Sequence, residues 1–405
     1  MRLRWVWPWA ALCLCAFPGF GQERVLTIEE ALDLARERAA GVVLAQGRIE
    51  EARARQEQAG RRFQANPALE VNGGYRRAED DFLDFEAAVT QNLYPGRQRA
   101  ARLAGTQAAL DRAEAEVAEA RRLLLREVWT TFTRAQAAGE RARLLERTRQ
   151  AVDALREATE RRFDAGEATA LELNRSRIAS AGARAEQEAA EADRDASLAE
   201  LKALLGLSPV EVLEIQGDLA PRPATELDTL LAGLDRRPDL RALAAELREA
   251  EAEILLGQAL ARPELGVRGG LGREEGAEIV TAGVVVTLPV HNRGRETVAV
   301  GEARAAALRQ ALQAVRTAAE AEVRGRSAAL ARQLAAVREL ETNALPALDD
   351  NESLALKSFE AGEIDLGELL LIRREILETR LAYLDRLLDA TLTRFELEAA
   401  AGVLR

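Results

Sequence analysis

The chain has 405 residues, 67 of them acidic against 56 basic, with one histidine, two cysteines and one methionine. Loss of the leader described next removes Cys13, Cys15, Met1, Arg2 and Arg4, and moves the formal net charge from −11 to −13. The remaining composition excludes disulfides, cysteine nucleophiles, Cys/His zinc sites and methionine-rich copper sites, leaves His291 as the sole histidine for a Ser-His-Asp triad, and disfavours nucleic acid as a partner.

Residues 1–21 read as a secretory signal. Arg2 and Arg4 supply the basic start, residues 5–17 form an apolar run too short to span a bilayer, and Gly19-Phe20-Gly21 offers small residues for cleavage before Gln22. Cys13 and Cys15 each follow a leucine, a poor fit to a lipoprotein cleavage site, so export without acylation is expected. Residues 27–63 have helical spacing. Thr27 as N-cap with Glu30 three residues on forms a capping box, and Ile28, Leu32 and Ala35 share a face. The helix stops before Asn66-Pro67, because proline disfavours helical backbone in the residue before it.

Over residues 68–93 the period changes to two. Leu69, Val71, Gly73 and Tyr75 alternate with Glu70, Asn72, Gly74 and Arg76; after an acidic loop, Leu83, Phe85, Ala87 and Val89 alternate with Asp84, Glu86, Ala88 and Thr90. This predicts a hairpin with one apolar and one polar face. Phe63, Tyr75, Phe82, Phe85 and Tyr94 lie near its ends, where a membrane-interface belt would sit. A second hairpin is predicted over residues 264–288, where Leu265, Val267 and Leu271, then Val280, Val284, Val286 and Leu288, occupy the apolar positions. It lacks the aromatics. Its strands have about the length that crosses a bilayer when tilted, although a soluble sheet with one wet face carries the same period. The glycines of residues 266–272 superficially suggest a phosphate loop. They lie inside the alternating run with another strand after them, so they read as strand curvature or close backbone approach.

Each hairpin ends in a Pro/Gly break, Tyr94-Pro95-Gly96 and then Pro289 to Gly294. A long helical pattern follows the first break. Leu103, Leu110, Val117 and Leu124 are seven apart, and Val128, Phe132 and Ala135 continue this narrow seam on a charged helix. A helix over residues 97–147 would extend about 75 Å and needs neighbours alongside. Gly166 and Gly362 are predicted helix ends, with restarts near Thr169 and Asp365. Residues 208–226, with Pro209, Gly217, Pro221 and Pro223, read as a linker, and Leu227 opens the next unit.

The chain is written twice with a period of 196 residues. Phe163-Asp164-Ala165-Gly166-Glu167 returns as Phe359-Glu360-Ala361-Gly362-Glu363, and Pro67, Glu172, Leu173, Arg177 and Gly206 match Pro263, Glu368, Leu369, Arg373 and Gly402. Residues 22–207 form the first repeat and residues 227–405 the second. The expected fold is mainly α with a small membrane β part. Two hairpins give four strands per chain, too few for a closed barrel, and lipid does not tolerate open sheet edges. Inserted strands therefore force oligomerisation. Three chains would supply twelve strands above a cylinder of long helices, although this reasoning does not by itself fix the number three.

The chain resembles the outer-membrane efflux protein (TolC-like) family over almost its whole mature length. The resemblance rests on the opening Leu26-Thr27-Ile28-Glu29-Glu30-Ala31-Leu32, the paired Phe-x-x-Gly-Glu segments, Leu171-Glu172-Leu173 and Glu368-Leu369-Leu370. Arg237-Pro238-Asp239-Leu240 and the strand-to-helix turn at residues 287–294 add to it. Asn66-Pro67-Ala68-Leu69-Glu70 looks closest to the cobalt-zinc-cadmium (CzcC-like) efflux branch. The resemblance implies a homotrimeric twelve-stranded β-barrel in outer-membrane lipid, continuous with an α-helical periplasmic tunnel. It also implies a periplasmic adaptor (membrane fusion) protein and an inner-membrane RND-type pump as partners. No cofactor, catalytic residue or metal ligand is expected. The family pattern places the tunnel tips about twenty residues before each Phe-x-x-Gly segment. Gly139 would make the first turn, and Glu140, Arg141, Arg338, Glu339 and Glu341 would be the charged gate candidates. Drug efflux, metal efflux and type I protein secretion share the same conduit physics and stay open within the channel reading. A soluble periplasmic coiled-coil adaptor or scaffold is the competing class, and an enzyme has no convergent motif to support it.

Overall fold

The computed structural model describes residues 24–38, 40–61, 63, 65–77, 81–93, 96–219, 225–274 and 276–403. The expected signal at residues 1–21 and the interface candidate Tyr94 lie outside the described residues.

The chain runs β1 (Arg24–Leu26), α1 (Ile28–Arg38), α2 (Ala40–Gly60), β2 (Ala68–Arg77), β3 (Asp81–Leu93), α3 (Gly96–Asp164) and α4 (Ala170–Leu205). It continues with β4 (Leu213–Ile215), α5 (Leu227–Gly233), α6 (Pro238–Leu260), β5 (Glu264–Glu274), β6 (Ala277–Thr287), α7 (Arg295–Glu339), a π-helical turn (Leu340–Ala344), α8 (Leu345–Glu360) and α9 (Leu366–Ala400). The starts of β5, β6 and α9 each fall 196 residues after those of β2, β3 and α4. The hairpin and the last long helix thus recur in both halves, while the single helix α3 corresponds to α7, the π turn and α8.

Thr27 caps α1 as expected, since its Oγ1 accepts from the Glu30 N–H (3.3 Å) and Glu30 Oε2 accepts from the Thr27 N–H (3.3 Å). Two expectations are corrected. The linker at residues 208–226 contains a strand, β4, which pairs in parallel with β1 through Arg24↔Leu213, Val25↔Glu214 and Leu26↔Ile215. And α3 does not end near residue 147. It runs unbroken for 69 residues, about 100 Å at 1.5 Å per residue. A Cβ at Gly139 would meet only Arg143, at 4.0 Å, so nothing there forces a turn. The intrinsic penalty of one glycine, about 1 kcal/mol, does not break a helix whose seam packs on both sides of it.

The main sheet has the order β2-β3-β5-β6, antiparallel throughout, with β2 and β6 at its edges. The helical core is a belt around the middle of α3. Leu125, Val128 and Phe132 of α3 pack with Leu26, Leu32, Leu201, Leu205 and Leu213, joining α1, β1, β4 and the end of α4. A second cluster joins α5, α7 and the end of α9 through Leu230, Val323, Leu330, Val337 and Leu397. Trp129 of α3 stacks on Phe395 of α9, with ring centroids 3.8 Å apart. Because α4 and α9 end at this belt, they run from it to the end of the molecule farthest from the sheet. There α3 turns into α4 and α8 into α9.

Candidate conduit, its belt and its far turns

The register places the alternating residues on common faces. Leu69 lies opposite Val89 and Tyr75 opposite Leu83; Ala87 faces Leu271, and Val267 faces Val284. Leu69, Val71, Leu83, Leu271, Val280 and Val284 are all 63–78% exposed, so this apolar face lacks cover from its own chain. Contiguous apolar surface on this scale marks an interaction with lipid or protein. None of the described helices is long and apolar enough to cross a membrane.

The opposite face is polar. Arg268 of β5 bridges two neighbouring strands there, donating from Nη1 to Glu70 Oε2 (3.0 Å) and from Nη2 to Glu86 Oε1 (3.3 Å). Polar alternation in the sequence already put these three residues on one face, but the pairing needed the register. Glycines crowd the same face along β5. Along β5, a Cβ on the polar-face residues Gly266, Gly270 and Gly272 would come within 2.7–2.9 Å of Asn92 Oδ1, Thr281 Oγ1 and the Phe85 carbonyl oxygen. A Cβ on Gly269, on the apolar face of the same strand, would meet nothing within 4 Å. On β5 the polar side is crowded and the apolar side open, whereas Gly74 and Gly283, on the polar face of the edge strands, would meet nothing within 4 Å. Glycine permits the close approach along β5. Of the belt candidates, Phe63 precedes β2, Tyr75 lies two residues from its end, Phe82 begins the return in β3, and Phe85 sits deeper, opposite Gly73. Phe63, Tyr75 and Phe85 are exposed.

The far turns have the same chemistry in both halves. In the first, the Gly166 N–H donates to the Phe163 carbonyl (2.9 Å) and the Glu167 N–H to the Arg162 carbonyl (2.8 Å); Gly362 and Glu363 donate likewise to Phe359 (3.1 Å) and Ser358 (2.8 Å). Gly166 and Gly362 have φ of +78° and +74°, the left-handed backbone that ends a helix and favours glycine. Thr169 then starts α4 with a capping box to Glu172, and the Asp365 carboxylate accepts from the Glu368 N–H (2.8 Å) to start α9. The Thr169 N–H and hydroxyl hold the Glu172 carboxyl below its usual range. Arg162 lies over the Phe359 ring at 5.9 Å, so the two turns sit side by side.

The five gate candidates are not at these turns. Glu140 and Arg141 stand 24 and 23 residues before the end of α3, about 36 Å up the helix. Arg338 and Glu339 lie in the last turn of α7, and Glu341 in the π turn. Their surroundings are structural. Glu140 pairs with Arg143 (2.8 Å), Arg141 with Asp385 of α9 (3.2 Å), Arg338 donates to the Leu334 carbonyl (3.3 Å), and Glu339 accepts from Asn343 (2.8 Å). Tyr383 of α9 donates to Glu341 (2.8 Å); burial and then the adjacent carboxylate push its hydroxyl up to about 12. Arg141 and Glu341 thus tie α3 and the π turn to α9, and the other three contacts are local in sequence.

Two further locks are seen only in the structure, although Arg237 and Asp239 belong to a motif that the sequence shows. Between α3 and α4, Asp153 accepts from Ser180 (2.5 Å), Arg149 (2.8 Å) and Arg184 (3.1 Å). The Ser180 hydroxyl, helped by the two guanidinium groups and opposed by burial, holds the Asp153 carboxyl below its usual range. At the belt, Arg237 is 7% exposed. It grips Asp239 with Nε (3.0 Å) and Nη2 (2.7 Å), and donates from Nη1 to the Ala400 carbonyl at the end of α9 (2.7 Å). This gives the Arg237-Pro238-Asp239-Leu240 motif a structural task. Among the described residues no group of three or more His, Cys, Asp or Glu side chains could hold a metal ion.

A sheet apolar on one face and polar on the other, standing on long helices of which α3 extends about 100 Å, defines a membrane-channel protein of the strand-and-tunnel kind. Residues 28–207 and 232–403 match the family described as outer membrane efflux protein, and the chain belongs to that family. It is an outer-membrane channel protein whose helices extend into the periplasm. It is 26% identical over 294 residues to the cobalt-zinc-cadmium resistance protein CzcC of Cupriavidus metallidurans, covering 71% of this chain and 70% of that one. Its fold is similar to that of a membrane protein from Pseudomonas aeruginosa (TM-score 0.75, 22% identity, 93% of this chain and 90% of that one). It also resembles the Campylobacter jejuni CmeC outer membrane channel (TM-score 0.77, 15% identity, 93% and 85%).

Proposed function

We propose that three chains join β6 of one to β2 of the next, closing a twelve-stranded barrel over a common helical tunnel. The observation that carries this is the four-stranded sheet with its two outer edges, β2 and β6, and an apolar face exposed along its length. Unpaired backbone groups inside lipid cost several kcal/mol each, so the edges must find partners before the sheet can rest in a bilayer. Phe63 and Tyr75 then lie at the two lipid boundaries. The turns at Gly166 and Gly362 form the periplasmic end, where a periplasmic adaptor coupled to an inner-membrane pump docks. A groove of about 920 Å³ between α4 and α9, lined in part by Ala179, Gly182, Glu186, Leu370 and Leu377, supports docking along those helices. The likeness to CzcC supports divalent heavy-metal ions as cargo. The chain passes them without ligating them, and the pump selects. Light scattering on the protein extracted from outer membranes tests the assembly. A mass three times that of one chain is expected; a monomer or dimer overturns it.

A further inference from the structure

The strand-to-helix turns carry a basic pattern that a conduit does not require. Gly96-Arg97-Gln98-Arg99 opens α3 and Asn292-Arg293-Gly294-Arg295 opens α7, so both arginines recur at the 196-residue offset. Arginine is an unfavourable choice here. A helix N-terminus already carries partial positive charge, and α3 has no acidic residue in its first turn. Arg99 is used locally, donating to the Gly60 carbonyl (2.6 Å). Arg97, Arg293 and Arg295 are exposed and have no carboxylate partner among the described residues.

The surface beside them is amphipathic. A groove of about 320 Å³ lies between the end of α6 and the turn after β6, lined by Leu260, Arg262, Leu288, Val290 and His291 among others. Leu288 and Val290 are 64% and 61% exposed, and Leu288 continues the outward alternation of Val284 and Val286. The groove thus begins where the apolar face of the sheet ends; Arg262 and Glu264 are the charged residues that line it, and Arg293 follows its lining residue Asn292 in the chain. The acidic groups at this level are Glu264, which accepts from the buried Gln98 (3.2 Å), and Glu296. The opposite end of the hairpins differs, with Asp81, Glu274 and Glu278 near Arg77 and Arg273. Among the described residues the basic excess marks one rim only.

We propose that this rim binds anionic phospholipid of the periplasm-facing leaflet. Arg97 and the Arg293/Arg295 pair hold the headgroup phosphates, and the groove takes the glycerol and first acyl carbons. The inference rests on the membrane reading above. Guanidinium matches phosphate oxygens in bidentate geometry. A free phosphate would use the arginines but leave Leu260, Leu288 and Val290 wet. A lipid uses both, and its acyl chains already lie against Val286.

The test uses the full-length protein extracted in mild detergent, delipidated, and titrated by native mass spectrometry with phosphatidylglycerol or phosphatidylcholine of identical acyl chains. Wild type should bind phosphatidylglycerol at least tenfold more tightly. R97Q/R293Q/R295Q should lose about 30-fold or more of that affinity. R161Q/R332Q, which removes two exposed arginines on the helices, should lose nothing. Equal binding of the two lipids, or an unchanged triple variant, overturns the proposal while leaving the channel intact. Displacement of phosphatidylglycerol by millimolar inorganic phosphate also overturns it, because the site would then be a plain anion site. Wild type recovered as a soluble monomer would overturn the membrane reading and this inference together.

Discussion

Replacing Arg237 by methionine tests how the end of α9 is held. The substitution keeps most of the buried volume and removes the bidentate pair to Asp239 and the hydrogen bond to the Ala400 carbonyl. Breaking a buried ion pair from one side destabilises by about 3–5 kcal/mol. The lower end applies here, because the Asp239 side chain retains 24% exposure and the Leu240 N–H (2.9 Å), and Arg122 still donates to the Ala399 carbonyl (2.8 Å). The loss is local. The amides beyond the lock are Ala401, bonded to Leu397 (3.0 Å), Gly402 to Ala399 (3.1 Å) and Val403 to Glu398 (3.0 Å). With about 3 kcal/mol removed, amide hydrogen exchange at these three positions should speed up on the order of 100-fold, at tenfold per 1.4 kcal/mol. Exchange at Leu205 to Leu207, the matching end of α4, should not change. R237K keeps the charge but not the fork, so it should fall between. Adding Asp239→Asn to R237M removes the stranded carboxylate and should recover part of the protection. Less than a threefold change in R237M, or equal acceleration at both helix ends, would refute the reasoning.

Glycine substitutions should separate a continuous helix from a close crossing. G139A gains helix propensity, up to about 1 kcal/mol, with no atom nearer than 4.0 Å, and should raise the thermal midpoint. G257A puts a Cβ within 2.8–2.9 Å of Val298 and the Gly294 carbonyl, and should lower it by about 1–3 kcal/mol of overpacking. On the sheet, V267R places a charge on the apolar face at about 2–4 kcal/mol and should deplete the membrane fraction; N72K, on the polar face, should leave it unchanged. The Asp153 carboxyl sits below its usual range, so the stability it lends is full above about pH 4 and is lost as pH falls through its lowered folded value. S180A removes the main cause of that shift. Its acid unfolding midpoint should therefore move up in pH, and an unchanged midpoint would contradict the assigned cause.

The hairpins were legible because period two has a sharp signature. Alternation over residues 68–93 and 264–288 anticipated β2 with β3 and β5 with β6 to within a residue or two. The turns at Gly166 and Gly362 were legible from glycine followed by a Thr or Asp cap. The tips were misplaced near Gly139 because a family offset was preferred to that turn chemistry. A coiled-coil seam reads the same along 50 residues or 69, and a lone glycine among alanines does not end it. β1 and β4 are three residues each, too short for any period to show. The Arg237-Asp239 motif was legible, but its hold on α9 was not: the acceptor there is a backbone carbonyl 163 residues away, and no side-chain pattern records that.

The two open sheet edges also bear on how such a molecule is made. A lone subunit has nowhere to rest: water meets an uncovered oily sheet, and the bilayer meets bare peptide groups along β2 and β6. In the trimer proposed above, entry into the membrane and recognition of sister subunits become one event. Its yield then rises steeply with the local supply of newly exported chains, and any chain without companions is left as a substrate for chaperones and proteases.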